Sequence, residues 1–286
     1  CCCVSLIYGE KDMMSFVISF AICLSASALL MVIGQKKKSA ISRYEGYIVV
    51  GLSWVFFTIF GMLPYLIGGY IPSVTDAFFE TMSGFTTTGA TILDNIESMP
   101  HGILFWRSLT QWIGGLGIVF FTIVLMPGFG ASSQMLYLSE ATGVTHNKLY
   151  PKTRVMARYI FVVYILLTAI ESVLLKIGGM SLYDAICHSM TTTATGGFST
   201  KQESIAYWHS SYIEYVVSGF MLLSAINFSL YIVACKGGWK QIWKNAELKW
   251  FACSVGLLTF IITAALIQYN NYGIEEAIRK SLFQVA

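Results

Sequence analysis

Long apolar runs broken by short polar linkers set the rhythm of this chain. The runs at 13–34, 47–71, 103–126, 155–176, 210–235 and 248–268 are each long enough to cross a bilayer as helix, which takes about 20 residues for roughly 30 Å of hydrocarbon. They predict an all-α polytopic membrane protein. Pro64 should kink its span, and Pro127 should end one. The first 12 residues, opening Cys1-Cys2-Cys3-Val4, read as the tail of a further span whose beginning is missing; they have neither an initiator methionine nor the layout of a signal peptide. Two intervening segments, 72–102 and 177–209, are too long for tight turns. Each opens with an amphipathic stretch too short to cross, TDAFFETMSGF at 75–85 and LYDAICHSMTT at 182–192, and then becomes rich in threonine and glycine. Non-helical backbone at membrane depth is tolerated only where it is buried in protein or lines a water-filled cavity. Both segments are therefore expected to be re-entrant pore loops.

The pattern is written more than once. Sliding the chain on itself by 108 residues lays Asp76 over Asp184, Ala77 over Ala185, Met82 over Met190, Thr87 over Thr195 and Gly89 over Gly197. The same shift lays the spans on either side of the first loop over those on either side of the second. A third copy begins with the span at 248–268 and the amphipathic YGIEEAIRKSLFQVA, with Phe283 set over Phe79. The expected organisation is an N-terminal span pair with a basic linker over 1–46, a first helix-pore loop-helix repeat over 47–127, a cytoplasmic linker over 128–154, a second repeat over 155–235, and over 236–286 a linker with the start of a third repeat, truncated before its filter. Parallel repeats of this kind surround an axis along the membrane normal, with sites where they meet.

Composition agrees with the pattern: 56% of residues are hydrophobic and 12% charged, against about 25% charged in a soluble domain. The placing of charge adds orientation. Lys36, Lys37, Lys38, Arg43, Lys148, Lys152, Arg154, Arg158, Lys236, Lys240, Lys244 and Lys249 fall in or beside three alternate linkers, which the positive-inside rule puts in the cytoplasm. Asp76, Glu80, Asp94, Glu97, Asp184, Glu203, Glu275 and Glu276 then face outward. The seven cysteines and four histidines form no ligand spacing, and the spans carry no nucleophile with its base. No enzyme activity, cofactor, transition-metal site or nucleic-acid partner is expected.

The chemistry lies in Phe85-Thr86-Thr87-Thr88-Gly89-Ala90-Thr91 and in Thr193-Ala194-Thr195-Gly196-Gly197-Phe198-Ser199. A cation crossing hydrocarbon must exchange its hydration shell for oxygen ligands, and rings of backbone carbonyls supply them. Glycine opens the dihedrals that turn carbonyls onto one axis, threonine stiffens the strand, and the C-terminus of a preceding short helix adds partial negative charge. Composition alone also fits a Thr/Gly turn in an outer loop; repetition at matched positions between spans favours the filter.

With those residues in view, TDAFFETMSGFTTTGATIL at 75–93, WRSLTQWIGGLGIVFF at 106–121, ATGGFST at 194–200 and INFSLY at 226–231 resemble the Trk/Ktr/HKT superfamily of potassium uptake proteins, closest to its TrkH/TrkG branch. The resemblance covers essentially the whole chain. It implies four helix-pore-helix repeats in one chain around a central ion pathway in the cell inner (cytoplasmic) membrane, a homodimer, and a cytosolic nucleotide-binding regulatory subunit of the TrkA type. Gly89 and Gly197 then map to filter glycines, with Thr86, Thr87, Thr88, Ala194, Thr195 and Gly196 as carbonyl donors to potassium. The third and fourth filters and the gating loop are absent from this sequence.

Other residues leave alternatives open. Arg107 either holds the outer mouth electrostatically or snorkels to headgroups. Glu171 is expected to pair with Lys176, and Glu214 to sit at the interface. Asn227, an amide deep in a span, either holds the second loop or bonds a neighbouring helix. Gly114, Gly115 and Gly117 either admit the adjacent pore segment or pack as ordinary small residues. The tryptophans read as interface anchors. A secondary transporter of another small solute is the rival function, and it predicts an inverted repeat where these copies carry basic residues at the same ends; a sodium-permeable cation transporter is the other.

Overall fold

A computed structural model describes residues 1–34, 43–117, 153–270 and 272–286, and every regular element among them is helical. The end of the third span, Pro127 and the basic residues at 36–38, 148 and 152 lie outside the described residues. The chain divides into two compact units, Cys1–Ala141 with Gly196–Ser204, and Thr142–Thr195 with Ile205–Ala286.

In the first unit, α1 (Cys2–Tyr8) and α2 (Met13–Gly34) precede α3 (Arg43–Gly61), α4 (Leu63–Ile67), α5 (Val74–Phe85) and α6 (His101–Leu116). The span expected over 47–71 is broken at Met62, with Pro64 in the first turn of α4, because proline has no N–H to continue the ladder. The Gly61 carbonyl freed there accepts Trp106 Nε1 at 2.9 Å. Trp106 is thus a structural donor inside the unit rather than an interface anchor.

The second unit holds α7 (Thr153–Ile177), α8 (Leu182–Thr193), α9 (Ser211–Ala225), α10 (Phe228–Cys235), α11 (Trp239–Lys244), α12 (Ala246–Asn270) and α13 (Ile274–Val285). The run at 210–235 is two helices meeting at 90° and not one straight span. Asn227 causes the break. It is the N-cap of α10, its Oδ1 accepting Ser229 N at 3.0 Å and Ser229 Oγ at 2.8 Å, and asparagine is among the best residues for that place. Tyr231 Oη donates to the Leu223 carbonyl at 2.6 Å, covering one of the acceptors that the end of α9 leaves open. The core beneath consists of Leu175, Met180, Ala185, Ile205, Ile213 and Val217.

Helices Met13–Gly34, Arg158–Ile177 and Ala246–Tyr269 are long and apolar enough to cross a membrane, and α9 with α10 makes a fourth if the bent pair is one span. Phe20, Leu29, Leu30, Met31 and Val32 on α2 and Leu257, Phe260 and Ile261 on α12 are exposed. Such surfaces suit lipid.

The three short helices α5, α8 and α13 have 12 residues each. Ser73 caps the first and Ser181 the second, accepting Asp76 N at 3.4 Å and Asp184 N at 3.0 Å. Gly273 holds that position in the third. Ala77, Ala185 and Ala277 are each fully buried, as are Thr81, Ser189 and Ser281. The third copy therefore sets Phe283 over Ser83 and not over Phe79. The two registers differ by about one helical turn, which leaves the same residues on the same face, so amphipathicity cannot tell them apart and the cap decides.

Candidate functional site

Both loops leave their short helix in the same way. Thr86 N donates to Met82 O at 2.8 Å and Thr87 N to Gly84 O at 3.0 Å; Ala194 N donates to Met190 O at 3.1 Å and Thr195 N to Thr192 O at 2.9 Å. The backbone then turns left-handed at alternate residues, with φ of 53° at Thr87 and 78° at Gly89, and 55° at Thr195 and 83° at Gly197. Opposite-handed dihedrals at alternate positions turn successive carbonyls to one side, which is what coordinating a bare cation requires. Glycine takes such angles freely; a β-branched residue does so only where its surroundings enforce it.

In the first unit a buried ion pair braces the segment that follows the turn. Arg107 Nε donates to Glu80 Oε1 at 2.8 Å, with both side chains essentially inaccessible. Glu80 also accepts Thr91 Oγ1 at 2.9 Å and Ile92 N at 3.0 Å, so the carboxylate is fully served. Arg107 goes on to donate through Nη2 to Thr91 Oγ1 at 3.2 Å and through Nη1 to the Ser199 carbonyl at 3.1 Å. Its guanidinium lies 4.1 Å from the Phe198 ring centroid. Arg107 does not snorkel. Thr88 N donates to Ser83 O at 3.0 Å, and Ser83 Oγ to Ala90 O at 2.6 Å.

Glycines let the parts close up. A Cβ on Gly114 would overlap the Phe85 carbonyl, and one on Gly89 would overlap the carbonyl oxygen of Gly196. Close backbone approach, rather than ordinary small-residue packing, accounts for Gly114. Gly89 and Gly196 are thus neighbours within the first unit, while a Cβ on Gly197 would meet nothing within 4 Å among the described residues. Thr86 and Thr88 are exposed, and their hydroxyls lie 2.9 Å apart. In the second unit Ala194 is buried and Thr195 exposed at the end of α8.

Glu171 is buried on α7 and meets Thr193 Oγ1 at 3.5 Å, with Thr192 as a second hydroxyl partner; Lys176 is exposed. Residues five apart on a helix point about 140° from one another, so the expected pair was never on one face. Glu214 pairs with Arg279 across to α13.

A family model described as TrkH, cation transport protein, matches residues 12–267. The chain belongs to the TrkH family. The Trk system potassium uptake protein TrkH of Escherichia coli (strain K12) is 35% identical over 286 residues, covering 99% of this chain and 59% of that protein. TrkG of the same organism is 36% identical over 268 residues, covering 91% of this chain and 54% of its own length. The crystal structure of the potassium transporter TrkH from Vibrio parahaemolyticus matches with a TM-score of 0.81 at 33% identity, over 99% of this chain and 58% of that one. The chain thus spans somewhat more than half the length of these TrkH-family relatives.

Three residues of this TrkH-family chain had no role assigned from sequence: Glu80 and Gln111, both fully buried, and Ser199, whose carbonyl Arg107 holds. Glu80 and Arg107 lie 27 residues apart and on different helices. The one available signal was a carboxylate within a segment expected to enter the membrane, where an ionisable group implies a named partner.

Proposed function

We propose that the protein of which this chain is part takes up potassium across the cytoplasmic membrane, selecting it with carbonyls of Thr86, Thr87, Thr88 and Gly89 in one repeat and of Ala194, Thr195, Gly196 and Gly197 in the next. The observation that carries this reading is the paired left-handed turn, Thr87 with Gly89 and Thr195 with Gly197, at positions the internal repeat had already matched. Two threonines held in a conformation unfavourable to Cβ-bearing residues indicate a backbone shaped for what its carbonyls do. Membership in the TrkH family and relatives named as potassium uptake proteins support the choice of ion.

Transport involves no chemical step and no cofactor in this chain. A homodimer and a cytosolic nucleotide-binding regulator of the TrkA type are proposed as partners, and the domain limits read from sequence are proposed with them. The test is potassium and rubidium flux against sodium in liposomes, comparing wild type with Gly89→Ser and Gly197→Ser. Each substitution should weaken discrimination against sodium. Unchanged discrimination in both would remove the filter assignment.

A further inference from the structure

We propose that Gln111 is a specificity-determining positioning residue, the side chain through which the helix of the first repeat sets the second loop; this deepens the filter reading and rests on it. Gln111 lies on α6 one turn after Arg107 and is fully buried. Its Oε1 accepts the backbone N–H of Phe198 at 3.0 Å. That donor fixes how the amide is turned, since only the oxygen can face an N–H. Nε2 then points the other way and is buried without a hydrogen-bond partner among the described residues. A Cβ on Gly196 would overlap the Gln111 amide, and one on Gly89 would lie 3.9 Å from Nε2. One side-chain amide therefore lies against both loops at their glycines.

The unserved N–H argues for a role beyond filling space. Burying an amide donor unpaired costs free energy, and a hydrocarbon side chain of the same size would avoid that cost. What Gln111 adds in return is one acceptor, aimed at the residue directly after Gly197. Arg107, on the same face, holds the next carbonyl, that of Ser199. Tethering the loop at the Phe198 N–H and the Ser199 carbonyl holds it to α6 without using the carbonyls of Gly196 and Gly197. Discrimination between cations of different size depends on how firmly such oxygens are held.

The test compares Gln111→Met, which keeps the size and loses the acceptor, with Gln111→Glu, which keeps an acceptor facing Phe198. Both are measured in liposomes for the potassium-to-sodium flux ratio and by thermal unfolding, beside Gly197→Ser. Gln111→Met should lower the ratio by about tenfold, the scale of one buried hydrogen bond, and Gln111→Glu should restore most of it. If Gly197→Ser loses discrimination while Gln111→Met retains it, or if Met and Glu lose it equally, the proposal fails and the filter stands. If Gln111→Met lowers the unfolding temperature and leaves the ratio unmoved, the residue is structural only and the proposal fails. If Gly197→Ser is also silent, the filter reading falls and takes this inference with it. Should Gln111→Met not accumulate, the ratio for Gln111→Glu decides: close to wild type supports the acceptor role, and a tenfold loss overturns it.

Discussion

Thr87 and Gly89 in the first loop turn as Thr195 and Gly197 do in the second, with φ values agreeing within a few degrees, yet the short helices they leave are braced differently. Behind the first stands a buried ion pair, Glu80 with Arg107, reaching Thr91 and Ser199. The position in α8 matching Glu80 is His188, whose Nδ1 lies 2.8 Å from the Asp184 carbonyl of its own helix and whose ring packs edge-on against Trp208. Around α8 an apolar cluster and the buried Glu171 take the place of the ion pair. The backbone conformation is thus common to both repeats while the bracing of the short helix before it is not. This is what would follow if the carbonyl geometry were the functional requirement and each repeat met it with the residues at hand.

The sharpest way to break that contrast is to remove one charge from the first support. Arg107→Met leaves Glu80 buried and unpaired, and losing one partner of such a pair costs about 3–5 kcal/mol. Thermal unfolding in detergent should show it as a large drop in midpoint. Glu80→Gln combined with Arg107→Met should cost less than the two single changes added together. His188→Gln, at the matched position, should cost no more than about 1–2 kcal/mol. Equal losses at the two positions would mean that the repeats are braced alike after all.

Next in size is the pair of glycines. An alanine at a left-handed position is strained by roughly 1–2 kcal/mol, so both Gly89→Ala and Gly197→Ala should impair rubidium uptake. At Gly89 the new Cβ would also meet the Gly196 carbonyl, whereas at Gly197 it meets nothing within 4 Å among the described residues. Gly89→Ala should therefore be the more damaging in uptake and in thermal stability. A larger effect at Gly197 would contradict the placing of Gly89 against the Gly196 carbonyl in the first unit.

How far the sequence revealed all this differs from residue to residue. The helices were legible because long apolar runs are local signals, and the loops because threonine and glycine recur at matched positions. Asn227 was visible, but its effect was not: a lone amide in an apolar run is compatible with unbroken helix until its side chain is seen capping the next one. Arg107, Glu80 and Gln111 could not be given partners, since the Ser199 carbonyl and the Phe198 N–H lie 92 and 87 residues away. For Glu171 the nearest charge in sequence was the wrong partner, because helical geometry turns Lys176 to another face.

Glu171 offers a smaller test of the second support. Glu171→Leu removes the acceptor facing Thr192 and Thr193 and should cost about 1–2 kcal/mol. Glu171→Gln keeps an acceptor and should stay within about 0.5 kcal/mol of wild type. If thermal unfolding finds the two variants alike, the carboxyl does not hold the end of α8.

The smallest effect tests the register of the third copy. Gly273 occupies in α13 the place that Ser73 and Ser181 hold in α5 and α8, with φ −61° and ψ 152°, beside −59° and 153° at Ser181. Its backbone is thus already that of a serine cap, and a Cβ there would touch nothing within 4 Å among the described residues. Gly273→Ser should therefore stabilise the protein by a few tenths of a kcal/mol, the difference between these residues as N-caps, while Ser73→Ala and Ser181→Ala should each cost about 1 kcal/mol. An unchanged unfolding midpoint for Gly273→Ser would mean that residue 273 does not act as the N-cap of α13, and the register that rests on the cap would lose its support. A rise confined to Gly273→Ser supports the register that sets Ala77, Ala185 and Ala277 at one buried position in all three short helices.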